Sequence, residues 1–191
     1  LVQSKRGTIG IVIPDSDMST SGIALSDISL ARAMGGMESV FKQQGYRMLL
    51  IFCDEKFKEK NECVSLIREK LVDGLIVWGA RSEDNFWNNA AGYNLVLISS
   101  RNRPDSNLDY VGHDNFMATY TLTKRMIESG RRRIAYMDSF KGISISEERF
   151  AGYRQALADS SLTFNEKLCF IHSGQESCLN GLMNLHEKNP D

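Results

Sequence analysis

Residues 8–13 (TIGIVI) form an unbroken apolar run that stops at Pro14 and Asp15. A run of this length closed by a residue without an amide donor predicts a strand buried on both faces. Residues 15–27 are rich in Ser, Asp and Gly, after which Ile28, Leu30, Ala31, Met34, Met37, Val40 and Phe41 recur at helical spacing. Gly45 follows and can close that helix in a left-handed conformation. The same rhythm then repeats. Residues 47–52 (RMLLIF) predict a second strand, and residues 55–70 a single helix with Cys63, Val64, Ile67 and Leu71 on its apolar side. Strands at 75–78 and 95–98 flank a short helix around Phe86, Trp87, Ala90 and Ala91. A short strand at 109–112 leads to Asn115, read as the cap of a helix ending near Gly130. Strands at 134–137 and 168–171 and helices at 147–159 and 176–188 complete the pattern. Continuous apolar strands alternating with helices require parallel sheets covered on both faces, an α/β fold.

The alternation stops at residues 189–191, where it predicts another buried strand. A second sheet of two strands leaves helix faces without a partner, so the chain is expected to be a fragment of a longer protein. The polar crossover at residues 112–115 is the expected passage from one lobe to the next.

Composition narrows the function classes. The 191 residues are 42% apolar, enough for a substantial core, and 23 Lys and Arg against 24 Asp and Glu leave a net charge of -1. Such a chain has no overall field to draw in nucleic acid or anionic lipid. No apolar run approaches the ~20 residues of a spanning helix, so no membrane partner is expected. Cys53, Cys63, Cys169 and Cys178 form no CxxC pair, and His113, His172 and His186 form no HExxH pattern. No metal and no cofactor are expected. A GxGxxG loop after the first strand, a GxxxxGK[ST] loop and a GxSxG elbow are all missing, which argues against a nucleotide-dependent enzyme or a serine hydrolase. The run Arg131 to Arg133 after Gly130 reads as a helix end and a solvated turn.

Open parallel sheets collect ligand groups at the carboxyl ends of their strands. That rule selects Asp15, Ser16, Asp17 and Met18 after the first strand, Cys53, Asp54 and Glu55 after the second, Gly79, Ala80 and Arg81 after the third, and Ser99 and Ser100 after the fourth. Trp78 could stack on the apolar face of a ring, against the alternative of a half-buried core residue. Arg101 and Arg149 present planar forks of donors suited to paired hydroxyls, a carboxylate or a phosphate. The alternative for Arg149 is an ion pair with Glu147, Glu148 or Asp159.

Six blocks in order, at residues 7–15 (GTIGIVIPD), 45–50 (GYRMLL), 72–76 (VDGLI), 114–115 (DN), 130–136 (GRRRIAY) and 148–157 (ERFAGYRQAL), resemble the effector-binding region of LacI/GalR-type transcriptional repressors. The resemblance implies a two-lobed, periplasmic-binding-protein-like type I fold with an incomplete second lobe. Residues 1–7 would be a remnant of the hinge or linker, residues 8–112 the N-terminal lobe, and residues 113–191 part of the C-terminal lobe. It implies a small-molecule effector, a carbohydrate, held by Asp15, Met18, Trp78, Ser100 and Arg101 from the first lobe and Arg149 from the second, with Asp114 and Asn115 in the crossover. Effector binding would change the lobe angle and the DNA affinity of the whole protein. The resemblance further implies a cytoplasmic homodimer, paired through first-lobe helices and reading operator DNA through an N-terminal helix-turn-helix absent from this chain. The helix carrying Ile28, Met34, Met37, Val40 and Phe41 is one candidate for that contact, against the alternative of a helix that only covers the core. Ser100, Arg131 and a 15–27 loop without an Asn-Pro-Phe-Phe run depart from the family pattern. The rival readings are a periplasmic-type sugar or solute receptor and a small α/β enzyme, the latter requiring catalytic groups that these residues do not assemble.

Overall fold

The computed structural model describes residues 6–14, 28–81, 92–100, 107–138, 143–171 and 175–188. The expected helix around Phe86 and Trp87 lies outside them. The chain divides into two compact units, Leu1–Gly112 and His113–Asp191.

The first unit carries β1 (Thr8–Pro14), α1 (Ile28–Gln43), β2 (Arg47–Cys53), α2 (Glu55–Glu59), α3 (Glu62–Arg68), β3 (Gly74–Trp78), β4 (Leu95–Ile98) and β5 (Asp109–Val111). The strands form one parallel sheet in the order β2-β1-β3-β4-β5, with Ile11 opposite Leu50 and Ile76 in the register of its centre. Strand alternation turns Val12, Leu75, Val77, Leu95 and Leu97 to one face, where they pack with Cys53, Phe57, Cys63 and Val72 in a single core cluster. A Cβ on Gly10, in the middle of β1, would lie 2.6 Å from Leu75 Cδ2 and 2.9 Å from Ile51 Cδ1, so a larger residue there requires those two side chains to shift. Ile11 and Ile13 alternate to the opposite face and are also buried. Helix α1 buries only Leu30, leaving Ile28 and Val40 exposed.

The single helix expected over residues 55–70 is instead two short ones. Asp54 caps α2 by accepting from Phe57 N–H at 2.8 Å, and Asn61 takes a left-handed conformation (φ 50°) before α3 begins. Phe57 and Cys63 are both buried in the sheet's core. Six residues along a continuous helix place two side chains roughly 120° apart, so one straight helix cannot aim both at the sheet. The break at Asn61 resets the phase, and asparagine tolerates that conformation.

The second unit carries α4 (Asn115–Glu128), β6 (Tyr136–Asp138), α5 (Ser144–Ala158), a 3-10 turn (Glu166–Leu168), β7 (Cys169–Ile171) and α6 (Gln175–Lys188). β6 and β7 pair in parallel, Tyr136 opposite Cys169. The strand expected from Ile134 starts two residues later, where the partner strand begins. The Ile134 carbonyl instead accepts from the buried Tyr153 hydroxyl at 2.8 Å. Helices α4 and α5 approach so closely that a Cβ on Gly152 would lie 2.3 Å from the Phe116 carbonyl oxygen. Ile127, Ile134, Tyr136, Tyr153 and Leu157 form this unit's core, with Phe150 and Phe164 packed against it. Leu122 and Met126 on α4, and Leu179, Leu182 and Met183 on α6, remain exposed. Among the described residues, no helix is long and apolar enough to cross a membrane.

Candidate functional site

In the first unit the carboxyl ends of β3, β4 and β5 are tied together by short polar contacts. Gly79 turns at φ 70° directly after Trp78, and its N–H donates to Ile98 O at 3.0 Å. Ser99 also takes a positive φ (75°), unusual for a serine, while its N–H donates to Val111 O and its carbonyl accepts from the Tyr110 hydroxyl at 2.9 Å. Tyr110 crosses so near Gly112 that any Cβ there would meet its hydroxyl. Two adjacent strand ends therefore turn through left-handed residues held by cross-strand bonds, an arrangement that concentrates at binding sites.

Of the strand-end candidates, Trp78 is half-buried at the last position of β3. Ser100 has no exposed surface, and its hydroxyl donates to Ala80 O at 2.6 Å, joining the β3 and β4 loops. Asp54 spends its carboxylate on the α2 cap. Asp15, Met18 and Arg101 lie outside the described residues. Among the described residues, no group of three or more His, Cys, Asp or Glu side chains could hold a metal ion.

In the second unit the helix start corrects one expectation. Asp114, not Asn115, caps α4: its carboxylate accepts from Met117 N–H at 2.9 Å. Asn115 is the first residue of the helix and is 4% exposed. Its side-chain amide donates to His113 O at 3.1 Å and to Glu148 Oε2 at 3.2 Å, while its Oδ1 accepts from Arg149 Nε at 3.2 Å. The Arg149 side chain is exposed on the second turn of α5. Neither Glu148 nor Asp159 is its hydrogen-bond partner among the described residues; Asp159 instead accepts from the Tyr120 hydroxyl and the Gln155 amide.

At the end of β6, the Tyr136 hydroxyl donates to Asp138 Oδ2 at 2.6 Å. Burial first, and then that bond to a carboxylate, hold the Tyr136 hydroxyl well above the usual tyrosine range, while the positive charge of Arg149 pulls in the opposite direction. Tyr136 also packs against Phe150 and Tyr153 with its ring tilted by 54° and 30°, the ring centroids 5.2 Å away in each case. Ser146 Oγ, in the first turn of α5, is buried with no hydrogen-bond partner among the described residues. Sequence reasoning missed Asn115 as a side-chain anchor because a helix-start pattern cannot say which of two neighbouring Asx residues caps. It missed Asp138 and Ser146 because no motif marks them.

Comparison with known proteins agrees with this architecture. A family described as periplasmic binding proteins and the sugar binding domain of the LacI family matches residues 6–191. The chain is 25% identical over 176 residues to the HTH-type transcriptional regulator RegA of Clostridium saccharobutylicum, covering 91% of this chain and 50% of that protein. It is 26% identical over 163 residues to the regulator MalR of Streptococcus pneumoniae, covering 85% of this chain and 48% of that protein. The chain thus spans about half the length of these curated relatives. A solved structure described as the transcriptional regulator CelR-cellobiose complex superposes with a TM-score of 0.81 at 21% identity, covering 98% of this chain and 57% of that one. That likeness shows the fold: parallel sheets flanked by helices, as in type I periplasmic-binding-protein-like domains. The family is one of binding proteins and regulators, not catalysts, and this chain belongs to the LacI/GalR family of transcriptional regulators, in its periplasmic-binding-protein-like effector-binding region.

Proposed function

We propose that the chain is the sensor of a cytoplasmic transcriptional regulator and binds a small carbohydrate. The observation that carries this reading is the match of residues 6–191 to a sugar-binding family, and Arg149 supplies it with a donor. An exposed guanidinium, anchored at Nε by a buried side chain, is suited to hydrogen-bonding ligand oxygens without first reorganising. Asp15, Met18, Trp78 and Arg101 are the proposed contacts from the first unit. Ser100 serves there by fixing the loop through Ala80. Binding regulates the whole protein only to the degree that effector affinity differs between its DNA-competent and DNA-incompetent states. The operator would be read by an N-terminal helix-turn-helix outside this chain.

Calorimetric titration of the chain with a panel of mono- and disaccharides tests the reading. At least one sugar is expected to bind, and Arg149→Ala is expected to cost about 1.5 to 3 kcal/mol of that affinity. Binding unaltered by the substitution removes Arg149 from the site. Pairing of two chains is proposed through α1, whose Ile28 and Val40 are 69% and 55% exposed. Light scattering that finds a monomer for the whole regulator rules this out.

A further inference from the structure

The three hydrogen bonds of Asn115 fix more than its own position. Its amide group faces the His113 carbonyl and the Glu148 carboxylate, and its oxygen faces the Arg149 Nε–H. The reverse orientation sets N–H against N–H at Arg149 and oxygen against oxygen at both other partners, so the neighbours dictate which end points where. Asn115 is 4% exposed, so water does not substitute readily for any of the three.

A guanidinium offers five N–H donors along three edges: two side-on edges, of which one pairs Nε with an Nη, and an end-on edge between the two Nη groups. With Nε–H engaged by Asn115, the side-on approach through Nε is closed to a ligand. Among the described residues, neither Nη group has a hydrogen-bond partner. The end-on fork matches two oxygen atoms carried side by side on one molecule and matches a lone oxygen poorly.

We propose that Asn115 is a positioning residue that aims Arg149 end-on, so that the second unit recognises a pair of adjacent oxygens on the effector. This deepens the effector-sensing reading and rests on it. Vicinal hydroxyls of a neutral sugar and the carboxylate of a sugar acid both present such a pair. Asn115 selects for the pairing rather than for the charge. A substitution here acts on selectivity between ligands that keep both oxygens and ligands that have lost one, which a purely structural role does not do.

The test has a ligand-free and a ligand-bound arm. In the arginine-labelled chain, the Arg149 Nε–H is expected to exchange with solvent roughly tenfold more slowly than in Asn115→Ala, as the loss of one buried hydrogen bond implies. Equal exchange rates in the two proteins overturn the proposal. If the alanine variant does not fold, the double variant Asn115→Asp with Glu148→Gln retains the acceptor for Nε and sets an amide donor opposite the new carboxylate, and is expected to keep the slow exchange. Fast exchange in that variant, in a protein that is otherwise folded, also overturns it. For the second arm, the chain is titrated with cellobiose, maltose, ribose and 2-deoxyribose, and with gluconate and glucuronate. Whichever probe binds, Asn115→Ala is expected to weaken it by about tenfold, and to weaken an analogue lacking one of the two oxygens by much less. Equal weakening of both, or none, overturns the proposal. Neutral sugars and sugar acids are told apart by which set binds the unsubstituted chain. If no probe binds, the effector reading fails, and the Nε–H exchange rate by itself still decides whether Asn115 aims Arg149.

Discussion

The carboxylate of Asp73 accepts the backbone N–H of Gly7 at 2.6 Å. The same group accepts the N–H groups of Arg6 at 3.0 Å and Thr8 at 3.2 Å. Three successive donors at the start of β1 thus converge on one side chain from the turn before β3, and Asp73 N–H donates back to Thr8 O. This side chain fixes where the chain enters the sheet. Asp73→Ala is expected to destabilise the first unit by about 2 kcal/mol, since charged acceptors of backbone donors are worth that much. Asp73→Asn, which keeps one acceptor oxygen, should lose less. Urea unfolding followed at Trp78 would measure both, and an unchanged midpoint for the alanine variant contradicts the assignment.

The contact of Gly152 with the Phe116 carbonyl sets the spacing of α4 and α5. A Cβ at 2.3 Å from that oxygen and 3.0 Å from Tyr120 N meets backbone, which cannot swing aside. Gly152→Ala is expected to cost about 1 to 3 kcal/mol, despite alanine's better helix propensity. Thermal melting of the variant at or above the parent temperature would show that the helices can separate freely.

Ser100 hydroxyl and Ala80 carbonyl are joined at 2.6 Å in a site with no solvent exposure at the serine. Ser100→Ala leaves that carbonyl without its donor and is expected to cost about 1 to 2 kcal/mol. Because the bond ties two strand-end loops, sugar affinity should fall alongside stability. A variant of full stability with lost affinity would instead make the hydroxyl a direct ligand contact.

Alkali is expected to weaken both units. Burial pushes the Cys63 thiol from 9.0 up to about 11, and burial followed by the neighbouring Cys169 pushes the Tyr153 hydroxyl from 10.0 up to about 12. Each folded group holds its proton at a pH where the unfolded chain releases it, so the folded state binds more protons and stability falls as pH rises. The loss sets in above pH 9 for Cys63 and above pH 10 for Tyr153, and is complete above their folded values. Cys63→Ala and Tyr153→Phe should flatten the dependence in these windows, whatever they do to stability at neutral pH. Denaturant midpoints between pH 8 and 12 that decline as steeply in the variants exclude these groups as the cause.

The order of elements was legible from apolar periodicity, because a parallel sheet covered on both faces leaves nearly continuous apolar strands, as at residues 8–13 and 95–98. The family was legible in the spaced blocks from Gly7 to Leu157. Tertiary structure decided the rest. Phe57 and Cys63 had to meet the same sheet, which split one amphipathic pattern into two helices at Asn61. β6 could start only where β7 offered a partner, so Ile134 gave its carbonyl to Tyr153 instead. Asn115 looked like a cap and became the anchor of Arg149, because its three partners come from two segments more than thirty residues apart. Local pattern fixes which residues prefer a helix, a strand or a turn, since those preferences act over a few neighbours. Which polar atom satisfies which is settled only when distant segments pack and exclude the water that would otherwise have served them.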